Sequence, residues 1–300
     1  LQEVGIAVFG PTAAAARLES SKVFARQIMK KYGIPHPRGK TFSDWEILEA
    51  EEHLRKHSLP VVIKADGLAS GKGVVIAKTR EEALSTLHDF ILERTLGDAG
   101  SAVIVEKFVR GQELSLLAFT DGRTVVPMVP ACDYKKIYDG DKGPNTGGMG
   151  GYSSSEFLNE IMIREITRIA LIPAIEAMAA ERILYQGVLY GGLVITRDRK
   201  VEVFEYNARL GDPETQVQIP RLKTDLVDIM QAVINGTLDK IKIEWSDEAC
   251  VGVVMASEGY PNKPKTGREI IGLNDVDKDI MIFHAGTEMK DGQIVTSGGR

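Results

Sequence analysis

The sequence predicts an α/β protein of the mixed, α+β kind, with a small lid subdomain. Three observations carry that expectation. Short β-branched runs alternate with helical periods and hairpins from about residue 60 to residue 129. Helix-start signals recur just before the helical periods. A strand–glycine loop–strand unit, Val61–Val75, lies between two of the helices and reads as a hairpin rather than a crossover.

The elements follow in order. Ser20 and Ser21 precede Lys22, and Phe24, Ile28 and Tyr32 recur at helical spacing until Gly33 and Pro35 end the run. Ser43 with Glu46 forms a capping-box signal for a second helix, and Thr79 with Glu82 repeats it for a helix running toward Leu96. Ala102–Val105, Leu114–Phe119 and Val125–Val129 read as strands, with Asp121-Gly122 as a tight turn between the last two. The lid is accordingly expected over about residues 60–129. A long helical pattern follows from Glu156 to Arg182, then strands Val188–Thr196 and Val201–Asn207. A helix over Asp225–Asn235 stops at Gly236. From about residue 244 the texture is short strands and turns, read as the start of a β-rich domain. Gly5–Phe9 reads as a strand with no earlier partner, the remnant of a preceding domain over residues 1–15, so the chain is expected to be a piece of a longer protein.

Composition bounds the function. Of 300 residues, 43% are hydrophobic and 26% charged, the profile of a globular protein, and the formal net charge of -5 argues against broad nucleic-acid binding. No apolar run reaches membrane-spanning length. Two distant cysteines, Cys132 and Cys250, read as reduced thiols, and the five histidines do not cluster as zinc ligands would. The expected setting is cytoplasmic, without nucleic-acid or membrane partners.

Two stretches carry chemistry. Lys64-Ala65-Asp66-Gly67-Leu68-Ala69-Ser70-Gly71-Lys72-Gly73 is not a Walker loop. It is one residue short, Gly73 stands where Ser or Thr would bind magnesium, and the following Val74–Ala77 is a strand. A hairpin of small residues still offers backbone N–H groups to phosphate, and Lys64 and Lys72 add charge. Alone, it fits a surface turn with two solvated lysines equally well. The second stretch, Val201–Arg209, alternates so that Val201, Val203, Glu205, Asn207 and Arg209 are expected on one side. Glu205 and Asn207 together suit a hard cation that also holds phosphate oxygens, and Arg209 offers a forked donor. Glu106–Glu113 presents a connector suited to an adenine edge, with Glu113 available to ribose hydroxyls. Gly143–Gly151, with five glycines and a proline, reads as a loop wrapping a ligand or as a linker.

These elements, in this order, resemble the ATP-grasp superfamily and, within it, the phosphoribosylamine–glycine ligase family. The wording of Leu18–Lys22, Lys64–Val74, Gly143–Gly150, Gly211–Gln216, Gly259–Pro261 and Ser297–Arg300 carries the likeness. It implies an ATP-grasp domain over 16–243, a C-terminal domain over 244–300, and ATP-dependent joining of glycine to 5-phosphoribosylamine in purine biosynthesis through glycyl phosphate. It implies ATP as co-substrate and magnesium or manganese on Glu205 and Asn207. Lys22, Lys64 and Lys72 are expected at ATP, Glu106 and Val109 at the adenine hinge, and Glu113 at the ribose. Lys136 and Asn145 are expected near the phosphates, with Arg209, Asp212 and Lys72 at the reacting groups. The family pattern Asp-His-Lys-Arg appears as Asp133-Tyr134-Lys135-Lys136, which trades a guanidinium for an ammonium. The other readings kept open are a different ATP-grasp carboxylate–amine ligase and a nucleotide-binding module without catalysis. A monomer is expected.

Overall fold

The computed structural model describes residues 4–69, 72–140, 142–154 and 158–300. Helix α1 (Arg17–Ser20) is followed by α2 (Lys22–Lys31), where Ser21 caps by accepting from Phe24 N. Next come β1 (Gly39–Ser43), α3 (Ile47–Lys56), β2 (Val61–Ala65), β3 (Val74–Ala77), α4 (Arg80–Ile91), β4 (Ala102–Lys107), β5 (Gly111–Thr120) and β6 (Val125–Pro127). Ser43 and Glu46 form the expected capping box, which opens one turn of 3-10 helix ahead of α3. Thr79 caps α4, which ends at Ile91, short of Leu96.

Four short strands follow: β7 (Cys132–Asp133), β8 (Lys136–Tyr138), β9 (Lys142–Asn145) and β10 (Gly150–Ser153). The long helical pattern is realised as α5 (Glu160–Ile166) and α6 (Ile172–Ala180), joined without a break by a π turn over Thr167–Leu171. Pro173 explains the turn. Proline has no N–H for an i−4 bond, and the preceding Ile172 N–H reaches back five residues to Thr167 O. The expected start, Glu156, lies outside the described residues. β11 (Gly187–Thr196) and β12 (Val201–Asn207) precede α7 (Glu214–Gln218) and α8 (Leu226–Asn235). α8 is capped by Asp225 and stopped by Gly236 in the left-handed region. β13 (Cys250–Val253), β14 (Thr287–Lys290) and β15 (Gln293–Thr296) complete the chain.

Two four-stranded sheets dominate, with strand orders β1-β4-β2-β3 and β12-β11-β5-β6. The first packs Phe42, Ile63, Val103 and Val105 against Leu54 of α3 and Leu87 and Phe90 of α4. The second has a core on each face. Leu116, Leu189, Leu193 and Val203 meet α2 and α6 on one side, while Leu117, Phe119 and Val188 meet Ile229 and Val233 of α8 on the other. The sheet that carries the glycine hairpin takes in β1 and ends at Lys107, whereas β5 pairs with β11 along its whole length. Residues 108–110 carry the chain between the sheets. A β5 apolar on both faces has a core to fill on each, which only the second sheet supplies.

No helix among the described residues is long and apolar enough to cross a membrane. Cys132 and Cys250 are free thiols, and burial, helped by Asp133, pushes Cys132 up to about 11.

Candidate active site

The candidate residues gather where Lys64 of the first sheet reaches the end of β12. Lys64 on β2 is only 6% exposed and Glu106 on β4 1% exposed. Lys64 Nζ lies 2.9 Å from Glu106 Oε2 and donates to Phe204 O at 2.9 Å. The other oxygen of Glu106 takes the Arg26 guanidinium of α2. Buried charges persist only when paired, so this trio holds Lys64 in a set direction. The Glu106 carboxylate is thus occupied by two cations. What it can offer an adenine edge is its strand's backbone, not its side chain.

Lys22 opens α2 and donates from Nζ to Gly67 O at 2.9 Å. Burial lowers its pKa and the Lys64 charge adds to the effect, while Glu205, Asp66 and Glu19 oppose it. Lys22, Lys64 and Glu205 therefore face one another closely enough to interact. Asp66, at the root of the hairpin, accepts from Ser21 Oγ at 2.9 Å and Val23 N at 2.8 Å. Lys72 is exposed on the hairpin and forms no ion pair with a described residue. Ser70 and Gly71, part of the expected phosphate cradle, lie outside the described residues.

Val109 and Glu113 line one cleft of about 600 Å³ with Leu59, Ile76 and Lys78. Lys136 and Asn145 face each other across the β8–β9 ladder.

β12 departs from the expected alternation. Leu193 pairs with Val203 and Gly192 with Glu205, which leaves Phe204 as an extra residue. Val201 and Val203 pack into the core shared with α2 and α6, and so does Tyr206, three residues beyond Val203. The bulge at Phe204 thus corrects the single-sided reading. Val201 and Val203 face the core, while Glu205 and Asn207 lie on the opposite side of the strand. Bulges re-aim side chains in this way. The sequence signal was the consecutive apolar pair Val203-Phe204, which breaks a period of two. Asn207 Nδ2 lies 3.4 Å from Glu205 Oε1, so the carboxylate and amide are neighbours. That pair fits a hard divalent cation completed by phosphate or water oxygens. Among the described residues no group of three His, Cys, Asp or Glu forms a metal cluster.

Sequence reasoning passed over Lys135 in favour of Lys136. Lys135 Nζ lies 3.7 Å from Asp133 Oδ2 and 5.8 Å from the Phe204 ring centre, which Lys64 Nζ approaches at 5.9 Å. Burial acts to lower its pKa, but Asp133, Glu205, Glu113 and Glu214 outweigh that, and the net shift is upward. It is a lysine held charged beside the proposed metal pair.

Beyond β12, Arg209 Nε donates to Glu19 Oε1 at 2.9 Å. Asp212 is forked by Arg300 at 2.8 and 3.2 Å. Glu214 is buried and accepts from Tyr190 OH at 2.5 Å and Ser115 Oγ at 3.0 Å. Gly147 N donates to Tyr260 OH at 2.8 Å, and Arg300 Nη1 lies 3.5 Å from Gly148 O. The glycine run is therefore not a linker, and it is a loop only over Thr146–Met149: Gly143–Asn145 lie in β9 and Gly150 and Gly151 in β10, with the loop between them pinned against the Gly-Asp-Pro-Glu turn. Tyr260 and Arg300 stood in the sequence only as motif residues; their contacts, more than 80 residues away along the chain, give them a place at this site.

Comparison with known proteins adds to this geometry. The ATP-grasp (A) domain of phosphoribosylglycinamide synthetase matches residues 20–215, and the C domain of the same family matches residues 250–300. A phosphoribosylamine–glycine ligase of Halalkalibacterium halodurans is 45% identical over 299 residues, covering 100% of this chain and 69% of the relative. The crystal structure of phosphoribosylamine–glycine ligase from Thermotoga maritima superposes with a TM-score of 0.88 at 38% identity, covering 98% of this chain and 72% of that one. The biotin carboxylase domain of Hydrogenobacter thermophilus 2-oxoglutarate carboxylase, solved with MgADP, shares the fold alone. Its TM-score is 0.60 at 18% identity, covering 82% of this chain and 51% of that chain.

Proposed function

The chain belongs to the phosphoribosylglycinamide synthetase family, and on that premise we propose how its residues join glycine to 5-phosphoribosylamine with ATP. The products are glycinamide ribonucleotide, ADP and phosphate. The observation that carries the proposal is that Lys64 and Lys135 approach the Phe204 ring at 5.9 and 5.8 Å, next to the neighbouring Glu205 and Asn207, with Lys22 close enough to feel the Glu205 and Lys64 charges.

A glycine carboxylate is a poor electrophile. Transfer of the γ-phosphoryl group makes glycyl phosphate, which has a good leaving group. The amine nitrogen then attacks the carbonyl carbon, the carbon–oxygen bond to phosphate breaks, and a proton leaves the nitrogen. Three ammonium groups offset the triphosphate charge, and Glu106 and Phe204 O orient one of them. Such positioning and electrostatics are most of what phosphoryl transfer asks of a protein. Val109 and the connector read the adenine edge, and Glu113 accepts from the ribose. Lys136 and Asn145 face the phosphate end, and Lys72 closes over it from the hairpin. Magnesium or manganese on Glu205 and Asn207 supplies charge neutralisation at the phosphates when bound. Arg209 and Asp212 stand by the reacting carboxylate. The β2–β3 hairpin excludes water while the hydrolysable acyl phosphate exists. We read residues 16–243 as the ATP-grasp unit and 244–300 as C-terminal domain, acting as a monomer.

The test is phosphate release dependent on both glycine and 5-phosphoribosylamine. Glu205→Ala is expected to lower kcat by about 100-fold or more. Release driven by another acid and not by glycine would favour a different carboxylate–amine ligase and overturn the proposal.

A further inference from the structure

Residues 19–23 touch both the root of the glycine hairpin and the turn after β12. Ser21 Oγ and Val23 N hold Asp66, and Lys22 Nζ holds Gly67 O, so the root of the glycine hairpin is tied down. On the other side, the Glu19 carboxylate uses both its oxygens on the turn after β12. Oε2 accepts from Ala208 N at 2.8 Å and Oε1 from Arg209 Nε at 2.9 Å. Arg209 also donates from Nη1 to Leu210 O at 3.1 Å. Its side chain is 56% exposed, against 18% for Glu19. A guanidinium has five N–H groups, and these contacts engage only two of them. An arginine gripped at Nε, with one Nη1 N–H on Leu210 O, still has three Nη N–H groups to offer a ligand carboxylate or phosphoryl group. Without that grip a long, exposed arginine samples many rotamers.

We propose that Glu19 is a positioning residue for phosphoryl transfer: its carboxylate clamps Ala208 N and Arg209 Nε, and through the adjoining Ser21–Val23 contacts it couples the place of Arg209 to the root of the hairpin. The proposal rests on the reading of Arg209 given above. It deepens that reading by naming the residue that aims the arginine.

Two measurements test it. In steady-state turnover, Glu19→Gln removes the charge and one of the two acceptors, and kcat falls about tenfold or more while KM for ATP stays within about twofold. Arg209→Gln shows its own loss, and Glu19→Gln adds no more than about twofold to it, because the two act as one unit. Multiplying losses, or wild-type turnover in either single variant, overturn the proposal. Hydrogen exchange reads the clamp without catalysis. In Glu19→Ala the Ala208 amide exchanges about tenfold faster, while the β11–β12 ladder amides do not change. An unchanged Ala208 amide overturns the clamp. If Glu19→Ala does not fold, Glu19→Asp, one methylene short, is read the same way. A wild-type chain with no glycine-dependent turnover would overturn the functional reading instead, and the exchange result would still decide whether the clamp exists.

Discussion

Lys22 shows how one side chain's surroundings set a pH limit on ligand binding. Burial holds its pKa below the ordinary lysine value, with Lys64 adding to the effect and Glu205 resisting it. The unfolded chain therefore binds more protons in the window between the lowered and the ordinary value, and folding stability from this group rises with pH there. Triphosphate binding has the opposite sign, because it needs the ammonium. ATP affinity is expected to weaken as pH rises toward the ordinary lysine range, earlier than an ordinary lysine would allow. Lys22→Arg keeps its charge and should remove that limb. ATP titrations across the range check it, and identical profiles for both proteins would refute it. This residue was legible from sequence as a lysine at a helix start. Lys135 was not, since nothing in Asp133-Tyr134-Lys135-Lys136 tells which lysine turns toward Phe204.

At the scale of elements, the bulge in β12 makes the site. Without Phe204 as an extra residue, Glu205 would follow Val203 onto the buried face. Gly192 makes room on the neighbouring strand. A Cβ there would meet Glu205 Cγ and Phe204 Cε2, each at 2.9 Å. These are movable side-chain atoms, so Gly192→Ala should displace the site more than it harms the fold. The expected result is metal affinity about tenfold weaker, with stability changed by about 1 kcal/mol or less. Calorimetric titration of Mn²⁺ and urea unfolding measure the two. An unaltered affinity would mean Glu205 has another way to sit. Helix starts and stops were readable because they are local: Ser21, Thr79, Asp225 and Gly236 act on backbone groups within a few residues. The bulge is a pairing property and needs the partner strand.

For the molecule as a whole, residues 250–300 reach back to the glycine-rich loop and the Gly-Asp-Pro-Glu turn. Arg300 forks Asp212, and Tyr260 holds Gly147. Asp212 is about half exposed, so the pair adds little stability, about 0.5–1 kcal/mol at most. Its use is geometric, since it fixes the glycine-rich loop against the turn that carries Asp212. Arg300→Ala is expected to raise KM for glycine about tenfold while KM for ATP stays within about twofold. Equal effects on both substrates would show a general loosening instead. Sheet membership belongs to this scale too. Runs of apolar residues announced β5 and β6 as strands, but their sheet was settled by which core could bury both faces of β5.

The sequence by itself determined the helix ends, the hairpin over Val61–Ala77, the Glu205–Asn207 pair and the family wording that names the chemistry. Each depends on residues close together in the chain, where dihedral preference and spacing act directly. Tertiary structure alone decided that Phe204 bulges, that Glu106 serves Lys64 and Arg26, and that Glu19 grips Arg209 from 190 positions away. The first two follow from burial, and the third from a pairing that brings an exposed arginine beside its carboxylate only in the folded chain. A charge or a strand face enters a core only with a matching partner, and the chain must fold before that partner is present.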